Sequence, residues 1–143
     1  SLSWQQQQSG AVCTYLAVCT EQAEVAVRQA IAETIEKAVA QLAENINDDS
    51  LYLLFEWHKP TATLTVVVTD ESKGQDSGIV VRCELSGVAQ ALQSEAADVD
   101  ALEQYAETIQ YWIKDYLTTC DGFFQYSFIA IFHSDTRAKT QLL

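Results

Sequence analysis

Two histidines are the residues of this chain best suited to metal binding or acid–base chemistry. His58 lies two residues after Glu56, and His133 lies two residues before Asp135. Imidazole titrates near neutral pH and binds zinc, and a nearby carboxylate can orient it. A zinc site needs three or four converging ligands, however, and isolated histidine–carboxylate pairs do not supply them. We therefore interpret both histidines as strand-end residues at the rim of a sheet, and we expect no metal ion or other cofactor.

The tripeptide His133-Ser134-Asp135 contains the residue types of a hydrolytic triad. Adjacent side chains of an extended chain point to opposite sides, so these three cannot form a series of nucleophile, base and orienting acid. Gly74 and Gly78 flank a polar loop without the G-x-x-x-x-G-K-[ST] order that holds phosphate. No catalytic residue is predicted, and we expect a protein that is not an enzyme.

The cysteines show no metal-binding or redox spacing. They are Cys13, Cys19, Cys83 and Cys120. Each lies in an apolar stretch without a C-x-x-C pair, where a free thiol behaves as a small hydrophobic group. We expect buried, reduced thiols of a cytoplasmic protein, with a Cys13–Cys19 disulfide as the alternative.

Negative charge dominates the composition. Twenty Asp and Glu residues against eight Lys and Arg residues give a net charge of −12. Such a charge opposes binding to nucleic-acid phosphates and to anionic membranes. The longest apolar runs also fall far short of the roughly 20 residues that span a bilayer. We therefore expect no nucleic-acid or membrane partner, and a basic protein partner is the hypothesis that the charge favours.

Negative charge is concentrated in residues 83–113, which contain six acidic residues and no Lys or Arg. Part of this charge complements the positive end of a helix dipole, and the rest is available to a cationic partner. Tyr111 lies off the apolar stripe of its predicted helix, where it could anchor an interface. We predict a partner-binding surface formed by Glu95, Asp98, Asp100, Glu103, Glu107 and Tyr111.

A long amphipathic helix over residues 21–46 is the first element that must support this surface. Val27, Ile31 and Ile35 mark its apolar stripe, and Thr20 is the predicted N-cap. Residues 1–10 are rich in Ser and Gln and are predicted to be a flexible segment. Residues 11–19 fit a helix or a strand by periodicity, and their β-branched and aromatic residues favour a strand.

Alternating apolar residues predict three strands at 51–58, 63–69 and 79–85, which form an antiparallel meander. One or two helical turns or an irregular connection are expected at 87–97, and a second long helix follows Asp98. Residues 123–133 are apolar on both faces, which predicts a fourth, central strand. Residues 134–143 read as a polar C-terminal tail.

The connections predict how these elements are arranged. The long crossover before the fourth strand favours parallel pairing with the first meander strand, which gives the order 4-1-2-3. Residues 12–18 are expected to cover the other flank of the fourth strand. The predicted fold is a single α+β domain over residues 11–133, with two helices packed on one face of a sheet of four or five strands.

This layout of long helix, three-stranded meander, helix and strand is similar to that of small acidic bacterial proteins that bind one partner. Toxin-neutralising immunity proteins and secretion chaperones are examples. The resemblance concerns the layout alone and implies no individual site residue. It favours a cytoplasmic protein-binding module of the immunity or inhibitor type. The alternatives are a chaperone-like homodimer and a small-molecule-binding or enzymatic domain centred on His58 and His133.

Overall fold

The computed structural model describes residues 2–44, 51–58, 61–70, 78–94, 99–119, 130–134 and 139–141. The described elements follow one another as β1 (Gln5–Ser9), β2 (Val12–Val18), α1 (Glu24–Ala43), β3 (Leu51–His58), β4 (Thr63–Asp70), β5 (Gly78–Glu84), α2 (Ser86–Ser94), α3 (Val99–Thr119), β6 (Ala130–Ser134) and β7 (Lys139–Gln141). The protein is an α+β fold, as the sequence predicts.

All of these strands belong to one sheet in the order β1-β2-β5-β4-β3-β6-β7. Strands β3, β4 and β5 form the predicted antiparallel meander, and β6 pairs in parallel with β3. The predicted order 4-1-2-3 is therefore confirmed. Strand β6 is an interior strand, since β7 pairs with its other side.

The position of β2 differs from the prediction. This strand pairs in parallel with β5, with Val12 beside Gly78 and Val18 beside Glu84, so it does not flank the fourth strand. The reason is the short link to α1, which packs chiefly on β4 and β5. The strand that leads into this helix must lie on the β5 side, and β7 occupies the flank that β2 was expected to cover.

The polar N-terminal segment contains a strand that the sequence does not predict. Residues 5–9 pair antiparallel with β2, and Gly10 turns the chain between them with φ of 58°. All five residues of β1 are exposed at the sheet edge, so none of them has to be apolar. The run of four glutamines therefore lacks the apolar–polar alternation by which strands are recognised in a sequence. The C-terminal segment similarly contributes β7.

The hydrophobic core lies between α1 and one face of the sheet. Val27, Ile31 and Ile35 are fully buried, which confirms the predicted stripe of the first helix. The helix begins at Glu24, because the amide of Val27 donates to the carbonyl of Ala23 at 3.0 Å. Thr20 therefore precedes the helix and is not its N-cap.

The inward sheet face presents large side chains to this helix. They include Leu53, Phe55, Trp57, Leu64, Val66 and Val81, which are all buried. Helix α3 packs beside α1, and its Ile109 and Ile113 complete the core. The hydroxyl of Tyr116 donates to Glu36 at 2.7 Å and links the two helices further. None of the helices in the described ranges is long and apolar enough to span a membrane.

Candidate partner-binding surface

The outer side of α3 carries the part of the predicted surface that the structure describes. Glu107 and Tyr111 are both exposed, and 63% of Tyr111 is accessible to solvent. They are four positions apart, so they lie on the same side of the helix, one turn apart. Ile109 and Ile113 are fully buried on the inner side. The prediction that Tyr111 lies off the apolar stripe is confirmed.

The other predicted residues are described less completely. Asp100 and Glu103 belong to α3, and position 103 continues the row of 107 and 111 by one helical turn. Glu95 and Asp98 lie outside the described residues. The helix geometry thus aligns positions 103, 107 and 111. That all six residues form one partner-binding surface stays a prediction.

The side chains around Glu107 are polar and solvated. Gln104 and Thr108 are exposed, and the Thr108 hydroxyl donates to the Gln104 carbonyl at 2.9 Å. Within the described part of the chain, Glu107 forms no ion pair, whereas Asp115 pairs with Arg28 at 3.1 Å. An unpaired carboxylate beside an exposed phenol can contact a cationic group without first breaking an ion pair within the described residues.

The alternative site at the two histidines has a different geometry. The Nδ1 atom of His58 lies 2.9 Å from the Thr61 hydroxyl, which lies 2.9 Å from the Thr63 hydroxyl. His133 occupies the β6 position beside Glu56 in the parallel pairing. Asp135 lies outside the described residues. His58 thus contacts the Thr61 hydroxyl. Among the described residues, no group of three or more His, Cys, Asp or Glu side chains could hold a metal ion.

A cleft of about 580 Å³ opens on this side of the sheet, between its strand ends and α2. Its lining includes Glu56, His58, Thr65, Arg82, Glu84 and Gln93. Sheet pairing brings Glu56, Thr65 and Arg82 side by side, and the Nε atom of Arg82 donates to the Thr65 hydroxyl at 3.4 Å. The sequence alone does not indicate Arg82 as a site residue, because only the strand register places it beside Glu56 and Thr65.

Three of the cysteines are described, and all three are free thiols. Cys19 and Cys83 are buried, as predicted, whereas Cys13 is half-buried and accepts a hydrogen bond from Gln6 Nε2 at 3.4 Å. Burial raises the pKa of the Cys83 thiol to about 12. Cys83 is therefore protonated at neutral pH and is unsuited to nucleophilic chemistry. Cys120 lies outside the described residues.

The chain matches no protein-family model, and comparison with curated proteins and with solved structures likewise finds no match. No relative therefore supplies a function for these surfaces. Their chemistry has to be judged from the described side chains themselves.

Proposed function

We propose that the protein is a stoichiometric binding module, of the immunity or inhibitor type, that neutralises a basic protein partner through the outer side of α3. The observation that carries this proposal is Tyr111, a large aromatic side chain that is 63% exposed one helical turn from Glu107. Aromatic side chains of this kind are enriched among the residues that dominate binding energy at interfaces.

Charge supports the same partner chemistry. The net charge of −12 attracts a basic protein over distances longer than direct contacts reach. Acidic side chains along α3 accelerate encounter, whereas an aromatic anchor prolongs the complex once it has formed. Blocking or escorting the partner requires no chemistry from this chain. A cytoplasmic bacterial setting is part of this proposal.

A small-molecule-binding or enzymatic domain is the second candidate, and the cleft at His58 is the observation that favours it. This cleft offers an imidazole, hydroxyl groups, a guanidinium group and two carboxylates. Variants of α3 and variants of the cleft separate the two candidates, because the surfaces share no residue.

The test begins with a partner isolated from the source organism and confirmed as a one-to-one complex by native mass spectrometry. Reversal of charge at Asp100, Glu103 and Glu107 to Lys should slow association roughly tenfold or more and flatten its dependence on ionic strength. Tyr111→Ala should mainly accelerate dissociation. Both rates are measurable by surface binding kinetics over a salt series.

The matched control is Glu44→Lys, at an exposed residue at the end of α1, which makes the same charge change as Glu107→Lys made alone. It should alter the association rate far less than the α3 variants. An association rate that responds neither to the α3 reversal nor to ionic strength would refute the proposal. Loss of binding after His58→Ala, with unchanged binding by the α3 variants, would favour the cleft instead.

A further inference from the structure

The sheet face opposite α1 carries a pattern that the proposed binding through α3 does not use, and residues at its strand ends also line the cleft beside α2. Glu56, His58, Arg82 and Glu84 are exposed on this face. Leu54, Val67 and Val80 are half-buried on the same face, and the described contacts of the helices with the sheet are made mainly by α1 on the other side. We call this surface the open face. It presents apolar and charged groups together in the middle of a wide sheet.

Strand register arranges the open face in three rows across β3, β4 and β5. The first row is apolar: Leu54, Val67 and Val80. The second row carries opposite charges at its two ends: Glu56, Thr65 and Arg82. The third row ends in an imidazole and a carboxylate: His58, Thr63 and Glu84. In every row the middle residue belongs to β4.

These rows are complementary to themselves. A two-fold axis that runs along β4, between two stacked copies, brings β3 of each copy over β5 of the other. The apolar row then meets the apolar row of the second copy. Glu56 meets Arg82 of the second copy, and His58 meets Glu84 of the second copy, and the symmetry repeats each contact. We infer that the open face is the interface of a homodimer, in which two sheets of this chain stack face to face.

Charge identifies a second copy as the occupant. Two chains of net charge −12 repel each other over most of their surfaces. On the open face, two carboxylates are accompanied by a guanidinium and an imidazole, so the local charge is close to balance. The two-fold arrangement sets each of these groups opposite a partner of favourable charge or hydrogen-bonding character. A purely basic partner, by contrast, would bring a positive group onto Arg82.

Size and packing geometry are compatible with this arrangement. Stacked sheets lie about 10 Å apart with strand directions within about 30°, which an axis along β4 allows. Seven strands spaced about 4.8 Å apart, with a mean length of about 20 Å, give a footprint of roughly 700 Å² per copy. A standard stable interface uses about 800 Å² per partner.

The test uses charge reversal on the full chain, read by sedimentation equilibrium over a concentration series. In an Arg82→Glu dimer, the introduced carboxylate meets Glu56, and in a Glu56→Arg dimer the introduced guanidinium meets Arg82. Each variant alone should dimerise at least roughly tenfold more weakly than the wild-type chain. An equimolar mixture of the two variants should recover the dimer, because both cross-contacts then join opposite charges.

Glu44→Arg is the matched control for Glu56→Arg, since it makes the same charge change on the helical layer and should leave dimerisation unchanged. Arg82→Gln and Glu56→Gln remove charge without reversing it and should weaken the dimer to a smaller extent. Circular dichroism confirms that each variant is folded. A wild-type chain that stays monomeric, a dimer that neither reversal weakens, or a variant mixture that stays monomeric would each overturn the inference. The outer side of α3 lies on the helical layer, so this result is independent of partner binding.

Discussion

Arg28 and Asp115 are 87 residues apart in sequence and form an ion pair of 3.1 Å between guanidinium Nη2 and carboxylate Oδ2. The same guanidinium lies 3.5 Å from Glu24 and 5.7 Å from the ring centroid of Trp112. One half-exposed side chain on α1 thus contacts two residues of α3. The orientation of α3, and with it the position of Tyr111, depends in part on these contacts.

Replacement of Arg28 should loosen this attachment. Arg28→Ala is expected to lower the free energy of unfolding by about 1 kcal/mol, because the ion pair and the contact with Trp112 are each worth only a fraction of that at an exposed site. Glu24→Ala removes only the pair within α1 and should cost at most about 0.5 kcal/mol. Urea denaturation measures both values. Equal losses for the two variants would contradict a role for Arg28 between the helices.

Gly87 should tolerate no side chain. A Cβ atom at this position would collide with the backbone carbonyl oxygens of Thr20 and Glu21, and backbone atoms cannot move aside cheaply. The Gly87 amide also donates to the Cys19 carbonyl at 3.2 Å, which fixes the close approach. Gly87→Ala should therefore destabilise the fold by about 2–3 kcal/mol in urea denaturation.

Gly10→Ala is the control for this effect. A Cβ atom at Gly10 meets no atom within 4 Å, so only the positive φ of 58° opposes the substitution. That conformation costs an alanine about 1 kcal/mol. If Gly87→Ala were no more damaging than Gly10→Ala, the contact between α2 and the segment before α1 would not be as close as the structure indicates.

Cys83 should make the protein sensitive to alkali. Burial raises the pKa of its thiol from an ordinary 9.0 to about 12, so the unfolded chain releases this proton at lower pH than the folded chain. The contribution of Cys83 to stability is complete below pH 9 and is lost as the pH rises to about 12. The slope in this window is at most about 1.4 kcal/mol per pH unit.

Urea denaturation across this pH range, compared between the wild-type chain and Cys83→Ala, isolates the thiol. The pKa of Tyr15 is also raised, chiefly by burial and then by Cys13, and this group is present in both proteins. The alanine variant should be less stable at neutral pH but should lose less stability between pH 9 and 12. Parallel pH profiles would show that Cys83 titrates normally.

Local periodicity accounts for the part of the fold that the sequence predicts. The stripe of α1 and the alternation of β3, β4 and β5 are strong signals because each buries one side against the same core. The parallel pairing of β6 with β3 follows from the length of its crossover. The strand that pairs with β2 depends on where α1 crosses the sheet. This is a tertiary contact, and it produces no periodic pattern in the sequence.

The candidate surfaces show the same division. Tyr111 is recognisable from the sequence because it interrupts the apolar stripe of a single helix. The row of Glu56, Thr65 and Arg82 spans three strands, and a register shift of one residue would send Arg82 to the opposite face. The row of Glu56, Thr65 and Arg82 can therefore be recognised only after the strand pairing is known.

The parallel pairing of β2 with β5 also sets an order of events during synthesis of the chain. Each residue of β2 meets a partner 66 positions further along the sequence, as Val12 meets Gly78. At about 5–20 residues per second, the ribosome takes several seconds to make that partner. The β1–β2 hairpin therefore emerges with an unpaired edge well before its docking strand exists. The glutamines of β1 occupy the other edge of β2, so the edge that later pairs with β5 stays open to a neighbouring chain during this interval.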